Sequence, residues 1–319
     1  MTATIPADLP LPDAKSTRGA VERADVGNAV RRSKNRLTSR GATIASLIIA
    51  ALWTIPTFGL LVTSFRPQDQ ITRSGWWDVF VKWDLTLENY QTVLANEDLT
   101  RSFVNSIAIT LPATLIPLVV ASLAAYAFAW IDFKGKNILF VLVFALQIVP
   151  IQMTLIPLLS LFSRGLGTQA GTLFEGFQGA GIYTQVWIAH SIFALPLAIF
   201  LLHNFIAEIP GEVIEAARVD GAGHGQIFLR IVLPLTVPAI ASFAIFQFLW
   251  VWNDLLVALI FASGEASPIT RTLAELTGAF GRNAYLLPAG AFIAMIVPLV
   301  VFFALQRFFV RGLLAGSTK

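Results

Sequence analysis

Six long stretches of this chain contain no Asp, Glu, Lys or Arg, and between them the polar residues gather in short, sharply bounded loops. The stretches are 41–65, 102–131, 137–163, 176–207, 231–253 and 283–306, the fifth with an apolar continuation past Asp254. A bilayer's hydrocarbon core is about 30 Å thick and takes about 20 apolar residues per helix, so each stretch predicts one crossing. None alternates apolar and polar positions over about ten residues, as a barrel strand would. Pro150, Pro157, Pro196, Pro238 and Pro298 fall in the last four stretches and predict kinks. The expected fold class is an all-α integral membrane protein with six transmembrane helices.

Composition agrees with that pattern. At 56% apolar and 13% charged residues, the chain lacks the polar groups needed to cover a soluble domain. Charge adds orientation. Six crossings put fifteen Lys and Arg on the side of the two termini and seven on the other, so both termini and the loop around Glu215 are expected in the cytoplasm. The expected organisation is a disordered basic cytoplasmic tail over 1–40, a six-helix domain over 41–310 and a cytoplasmic tail over 311–319. The first tail, rich in charge, Ala, Ser, Thr and Pro, reads as a topogenic anchor near anionic lipid and not as a nucleic-acid arm. The first apolar stretch starts too late and runs too long for a cleaved leader. Absence of cysteine excludes disulfides and thiolate metal sites.

On the outer side, Trp76, Phe80 and Trp83 are spaced i, i+4, i+7, which predicts a short helix with its aromatics at headgroup depth. Asp69, Asp78, Asp84, Glu88, Glu97 and Asp98 share that loop and also suit a platform for an extracytoplasmic partner.

The loop between the fourth and fifth stretches carries the most specific pattern. Pro210 opens a helix-forming segment with Glu212 and Glu215 near its positive end, and Gly221 stops it. Gly223 and Gly225 permit a reversal, and a second helical run carries Ile227, Phe228 and Ile231 up to Leu233 and Pro234. A helix-turn-helix lying across the cytoplasmic surface is predicted. Its small residues Ala216 and Ala217 allow close approach by another protein, and Glu215 can accept a hydrogen bond or ion pair.

Catalytic patterns are missing. There is no GxxxxGK[ST], HExxH or GxSxG, and His190, His203 and His224 are too scattered for a metal site. His190 and His203 are expected to make interhelical or interface hydrogen bonds. Asp254 is the one carboxylate inside a predicted span and should face the bundle interior. With Gln247, Trp250, Trp252 and Asn253 it forms a candidate substrate pathway, a set of polar groups beside aromatic faces in an apolar span. An equal reading makes Asp254 a structural hydrogen bond that holds a partner chain.

The pattern Glu215-Ala216-Ala217, Gly221, Ile231, Leu233-Pro234, written E-A-A-x3-G-x9-I-x-L-P, resembles the loop by which permease subunits of binding-protein-dependent ABC importers dock on their ATPase. Thr63-Ser64-Phe65-Arg66, Val149-Pro150, Phe248-Leu249-Trp250, Trp252-Asn253-Asp254 and the run from Gln306 to Leu313 extend the resemblance to maltose-type sugar permeases. Ser74-Gly75-Trp76-Trp77 is most similar to the α-glucoside permeases of that branch.

The resemblance implies an inner-membrane subunit that pairs with a second six-span permease and sits on two ATPase subunits. An extracytoplasmic binding protein would deliver a sugar, here an α-linked di- or oligosaccharide. Glu215, Ala216, Ala217, Asp220, Gly221, Phe228, Ile231, Leu233 and Pro234 would carry the coupling. The tail from Arg311 would touch the ATPases, and the segment 262–287 would face the binding protein. ATP and Mg would be bound by the partner ATPase, with no cofactor, metal or catalytic residue in this chain. The alternatives are an importer of another solute such as glycerol phosphate, and an integral membrane enzyme, for which no cluster of polar groups at a membrane face is seen.

Overall fold

Proline decides where the third apolar stretch ceases to be one helix. A computed structural model of the chain describes residues 40–168, 171–174, 176–177, 180–276 and 283–315. Its helices are α1 (Arg40–Ser64), α2 (Gln68–Arg73), α3 (Glu88–Ala95), α4 (Glu97–Trp130), α5 (Lys136–Ala145), α6 (Ile151–Arg164) and α7 (Thr184–Ala207). They continue with α8 (Gly211–Val219), α9 (His224–Ile227), α10 (Leu233–Trp252), α11 (Leu256–Phe261), α12 (Ile269–Leu276) and α13 (Leu287–Ala315). Five helical runs are long and apolar enough to cross a bilayer alone: Gly41–Ser64, α4, α7, α9 through α10, and Ala284–Gln306.

The sixth expected span is two helices that meet at 105°, Lys136–Ile148 and Ile151–Arg164. Val149 (φ −71°, ψ 120°) and Pro150 (φ −62°, ψ 132°) are both extended. Pro150 has no N–H to continue the ladder, and its ring drives the preceding residue out of the helical region. Pro157, Pro196, Pro238 and Pro298 remain inside continuous helices, because the residue before each stays helical.

The chain divides into two units at Val62. The described part of the first is the bulk of α1, an apolar helix interrupted only by Pro56. The second unit, Thr63–Lys319, is organised around α4 and α7, whose pairing is the most extensive in the molecule. Small residues make that pairing close: Ala113, Ala121 and Ala125 of α4 and Ala189, Ala194 and Ala198 of α7 are all fully buried. The other face of α4 presents Val104, Leu111, Leu115, Val119 and Leu123 at helical spacing, an exposed apolar stripe that suits acyl chains. α10 packs against both α4 and α13.

Polar contacts fix the end of the bundle where α4 begins. Asn105 donates to the carbonyls of Glu265 (2.7 Å) and Ser267 (2.9 Å) and accepts from the Tyr183 hydroxyl at 2.7 Å. The Trp187 indole donates to the Ala108 carbonyl at 2.9 Å. Arg66 is almost fully buried, and its guanidinium donates to the carbonyls of Gln70 and Ser74.

Several expectations need correction. The aromatic segment is a 3-10 helix over Trp76–Phe80, and Trp83 lies beyond its end, so the three aromatics do not share one helical face. Their sequence spacing is helical, but Asp84 follows Lys82 in a turn that ends the segment. A short antiparallel hairpin, β1 (Leu166–Thr168) with β2 (Gly171–Phe174), interrupts the otherwise helical fold, and α7 begins at Thr184 instead of near residue 176. α10 ends at Trp252, so Asp254 lies at a break between helices and not within one. α13 runs on to Ala315 through the segment expected to be a tail. The expected basic tail over 1–39 lies outside the described residues.

Candidate functional site

The loop between α7 and α10 folds as its residues dictate. Pro210 (ψ 131°) precedes the first turn of α8, where its missing N–H costs nothing, and its carbonyl accepts from the Val213 N–H at 3.1 Å. Ile214 and Ala217, three residues apart, turn inward, with Ile214 only 1% exposed. Burying that isoleucine contributes about 1.5–3 kcal/mol to seating the helix. The C-terminus closes in a Schellman arrangement: the Ala222 N–H donates to the Ala217 carbonyl and the Gly221 N–H to the Arg218 carbonyl, both at 3.0 Å.

Gly221 holds φ +81°, and nothing lies within 4 Å of where a Cβ would stand. The cost of a side chain there is therefore purely conformational. Gly221→Val is expected to destabilise the loop locally by about 1–2 kcal/mol, read as faster hydrogen exchange at the Ala222 amide.

Beyond the reversal, α9 passes through a π turn, Phe228–Val232, into α10. Pro234 cannot donate to the preceding turn, and the wider turn accommodates that lost hydrogen bond. Ile227, Phe228 and Val232 face inward with Ile214 and Ala217. They join one apolar cluster with Tyr126 and Phe128 of α4 and Leu202 and Ile206 of α7.

Three polar contacts add to this seat. Tyr126 Oη and His224 Nδ1 are hydrogen-bonded at 3.0 Å, Arg218 donates to the Trp130 carbonyl at 3.1 Å, and the Trp130 indole donates to the Ile206 carbonyl at 3.2 Å. α8 and α9 are thus fixed to the ends of two spans.

The opposite face of the loop is bare. Glu215, Ala216, Asp220 and Gly221 are exposed, as is Pro234; Ile231 and Leu233 are half-buried, while Ala217 and Phe228 are buried. Sequence reading offered Ala216 and Ala217 alike for close approach by a partner, and the fold divides them. Ala216 lies outward and Ala217 under the helix, because α8 buries positions 214 and 217. Tyr126, Trp130, Arg218 and His224 were not singled out as tethers. The i, i+4 spacing of Tyr126 and Trp130 at the end of a span was the available signal.

At the other end of α10, Gln247, Trp250 and Asp254 line a cavity of about 190 Å³, together with Gln152 from α6 and His190 from α7. The Gln247 amide donates to the Ala113 carbonyl at 3.3 Å. The Asp254 carboxylate accepts from the Ala258 N–H at 3.0 Å, capping α11, and its own carbonyl accepts from the Thr270 hydroxyl at 2.7 Å. His190, expected to make an interhelical hydrogen bond, instead has Nε2 3.8 Å from Asp254 Oδ2.

The other two expected pathway residues are elsewhere. Trp252 donates to the Ala294 carbonyl at 3.1 Å and packs between Phe103 and Phe248, and Asn253 is exposed with its amide on the Leu249 carbonyl. Helical geometry separates 250 from 252 by about 200°. A second, mostly apolar cavity of about 690 Å³ lies at the elbow between α5 and α6 and shares Ile151, Gln152, Phe193 and Trp250 with the first. Among the described residues, no three His, Asp or Glu side chains are grouped to hold a metal.

A bundle of apolar helices with a broken span, a polar cavity among them and an amphipathic helix-turn-helix sealed onto one end defines a multi-pass membrane permease. The chain belongs to the binding-protein-dependent transport system inner membrane component family, whose model matches residues 117–315. It is 51% identical to the osmoprotective compounds uptake permease protein GgtD of Synechocystis sp., over 86% of this chain and 91% of that protein. It is also 51% identical to the alpha-glucoside transport system permease protein AglG of Rhizobium meliloti, over 73% of this chain but only 60% of that protein. A crystal structure of a bacterial ABC transporter involved in import of the acidic polysaccharide alginate shares the fold. Its TM-score is 0.61 at 20% identity, covering 85% of this chain and 98% of that one.

Proposed function

We propose that this chain is the transmembrane permease subunit of an ATP-driven, binding-protein-dependent sugar importer, with an α-linked di- or oligosaccharide as its substrate. The observation that carries the coupling role is the two-sidedness of the Glu215 loop. One face is sealed to α4 and α7 and the other offers Glu215, Ala216 and Asp220 to a partner. An ATPase that moved this face would move both spans, as alternating access between inward- and outward-facing states requires. Counting the bent pair as one span gives six crossings, which would put the two termini and the loop on one side, and the excess of Lys and Arg on that side supports a cytoplasmic orientation.

Two ATPase subunits bind ATP and Mg, a second related permease completes the pathway, and an extracytoplasmic binding protein delivers the sugar. The chain itself has no catalytic residues. A sugar is favoured over an anion because the expected spans contain no Lys or Arg, and because AglG is named for alpha-glucosides. Passage runs beside Gln247, Trp250 and Asp254.

Purification of the tagged chain from its native membranes in mild detergent tests the reading. Co-purification of an ATPase and a second permease, with ATP hydrolysis stimulated by a sugar-loaded binding protein, is the expected result. A folded chain recovered alone from those membranes would contradict it.

A further inference from the structure

The chemistry at the elbow of the broken span is more specific than a passage requires. Gln247 is 1% exposed, and its amide N–H is committed to the Ala113 carbonyl. That contact fixes the side chain's orientation, so Oε1 is held as an acceptor. Among the described residues Oε1 has no hydrogen-bond partner although it is fully buried. An unmet buried acceptor costs about 1–3 kcal/mol, a cost relieved when a small shift lets a ligand donor reach it.

The cavity beside it carries further hydrogen-bonding groups. His190, 6% exposed, and Asp254, whose side chain is 10% exposed, face each other at 3.8 Å. That separation is too long for a direct hydrogen bond, but one hydroxyl between them can accept from the imidazole N–H and donate to the carboxylate. Gln152 adds an amide from the first turn of α6, and Trp250 adds an aromatic surface. The donors and acceptors are mixed and no cation lines the cavity, so the groups match alcohol hydroxyls better than a phosphate or carboxylate.

Size narrows the ligand further. Sites for drug-sized ligands run to about 300–1,000 Å³, so about 190 Å³ suits a single ring. The adjoining elbow cavity, apolar and larger, leaves space for the rest of an oligosaccharide.

We propose that Gln152, His190, Gln247 and Asp254 form a subsite in this subunit that reads the hydroxyls of one sugar ring, with Trp250 against the ring face. The assignment rests on the importer reading above. It adds that this chain selects among sugars and does not merely line their route.

The test uses cells in which the chromosomal gene carries Gln247→Met, a near-isosteric loss of the acceptor, or His190→Leu, with His190→Gln as the conservative control. Initial uptake rates of radiolabelled glucose, trehalose, sucrose, maltose and maltotriose are compared within each strain. Uptake by a strain lacking the gene is subtracted first, and the remaining ratios, carried by the same assembled complexes, are independent of how much variant protein accumulates. At least one ratio is expected to change by about five- to tenfold in Gln247→Met and His190→Leu, and to return toward the wild-type value in His190→Gln. Ratios that stay within about twofold of wild type in both variants overturn the subsite. If either variant fails to accumulate, Asp254→Asn is read in the same way. Wild-type cells that take up none of these sugars would instead overturn the sugar reading itself, a result distinct from unchanged ratios.

Discussion

Glu215→Lys is expected to reduce ATP-driven uptake at least about tenfold while leaving the chain inserted and folded. The residue is exposed on the outward face of α8 and contributes nothing to the apolar seat beneath, so its loss removes little from the fold itself. If Glu215 docks on the ATPase as proposed, a reversed charge at that contact costs several kcal/mol, and each 1.4 kcal/mol is a factor of ten. Uptake and the amount of co-purified ATPase should fall together. Uptake at the wild-type level would remove Glu215 from the coupling contact.

The second large effect separates two neighbouring alanines. Ala217→Leu places three extra carbons in the cluster where α8 meets α4 and α7, and overpacking of that kind costs about 1–3 kcal/mol. The loop should lift from the spans, letting the already exposed segment around Gly221 and Gly223 unfold and be cut faster by protease in the isolated chain. Ala216→Leu, one residue earlier and exposed, should leave the isolated chain as resistant as wild type and weaken only its association with the ATPase. Equal protease sensitivity in the two variants would show that the seat described for α8 is wrong.

The contrast between these residues shows how far the sequence could be read. The spans were legible because a bilayer demands about 20 consecutive apolar residues per helix, a signal independent of tertiary contacts. A kink at Pro150 was expected, but a full break at Val149 and Pro150 was not. Pro196 and Pro238 occur in equally apolar runs and sit in continuous helices, so proline alone does not report which helix gives way. What sets Pro150 apart is that Val149 before it is extended, and the sequence does not show that.

The loop around Glu215 was legible as a helix-turn-helix from Pro210, Gly221 and the apolar spacing. The direction in which its small residues point required the neighbouring spans. Of the residues proposed for the pathway, Gln247 and Asp254 stand out as polar positions in apolar runs, and with Trp250 they line one cavity. His190 and Gln152 complete the cavity from two other helices, and only the fold brings them there. Trp252 was drawn in by composition, and the rotation of α10 turns it toward α13.

Because the chain contains no cysteine, one placed at Glu215 or at Ala217 is unique, which permits a direct test of the docking face. In membranes holding the assembled complex, a short thiol-to-amine cross-linker should join Glu215→Cys to the ATPase subunit, while Ala217→Cys, buried against α4 and α7, should give no such adduct. An adduct of the ATPase at residue 217 but not at 215, or none at 215 in a complex that still co-purifies with its ATPase, would contradict the account.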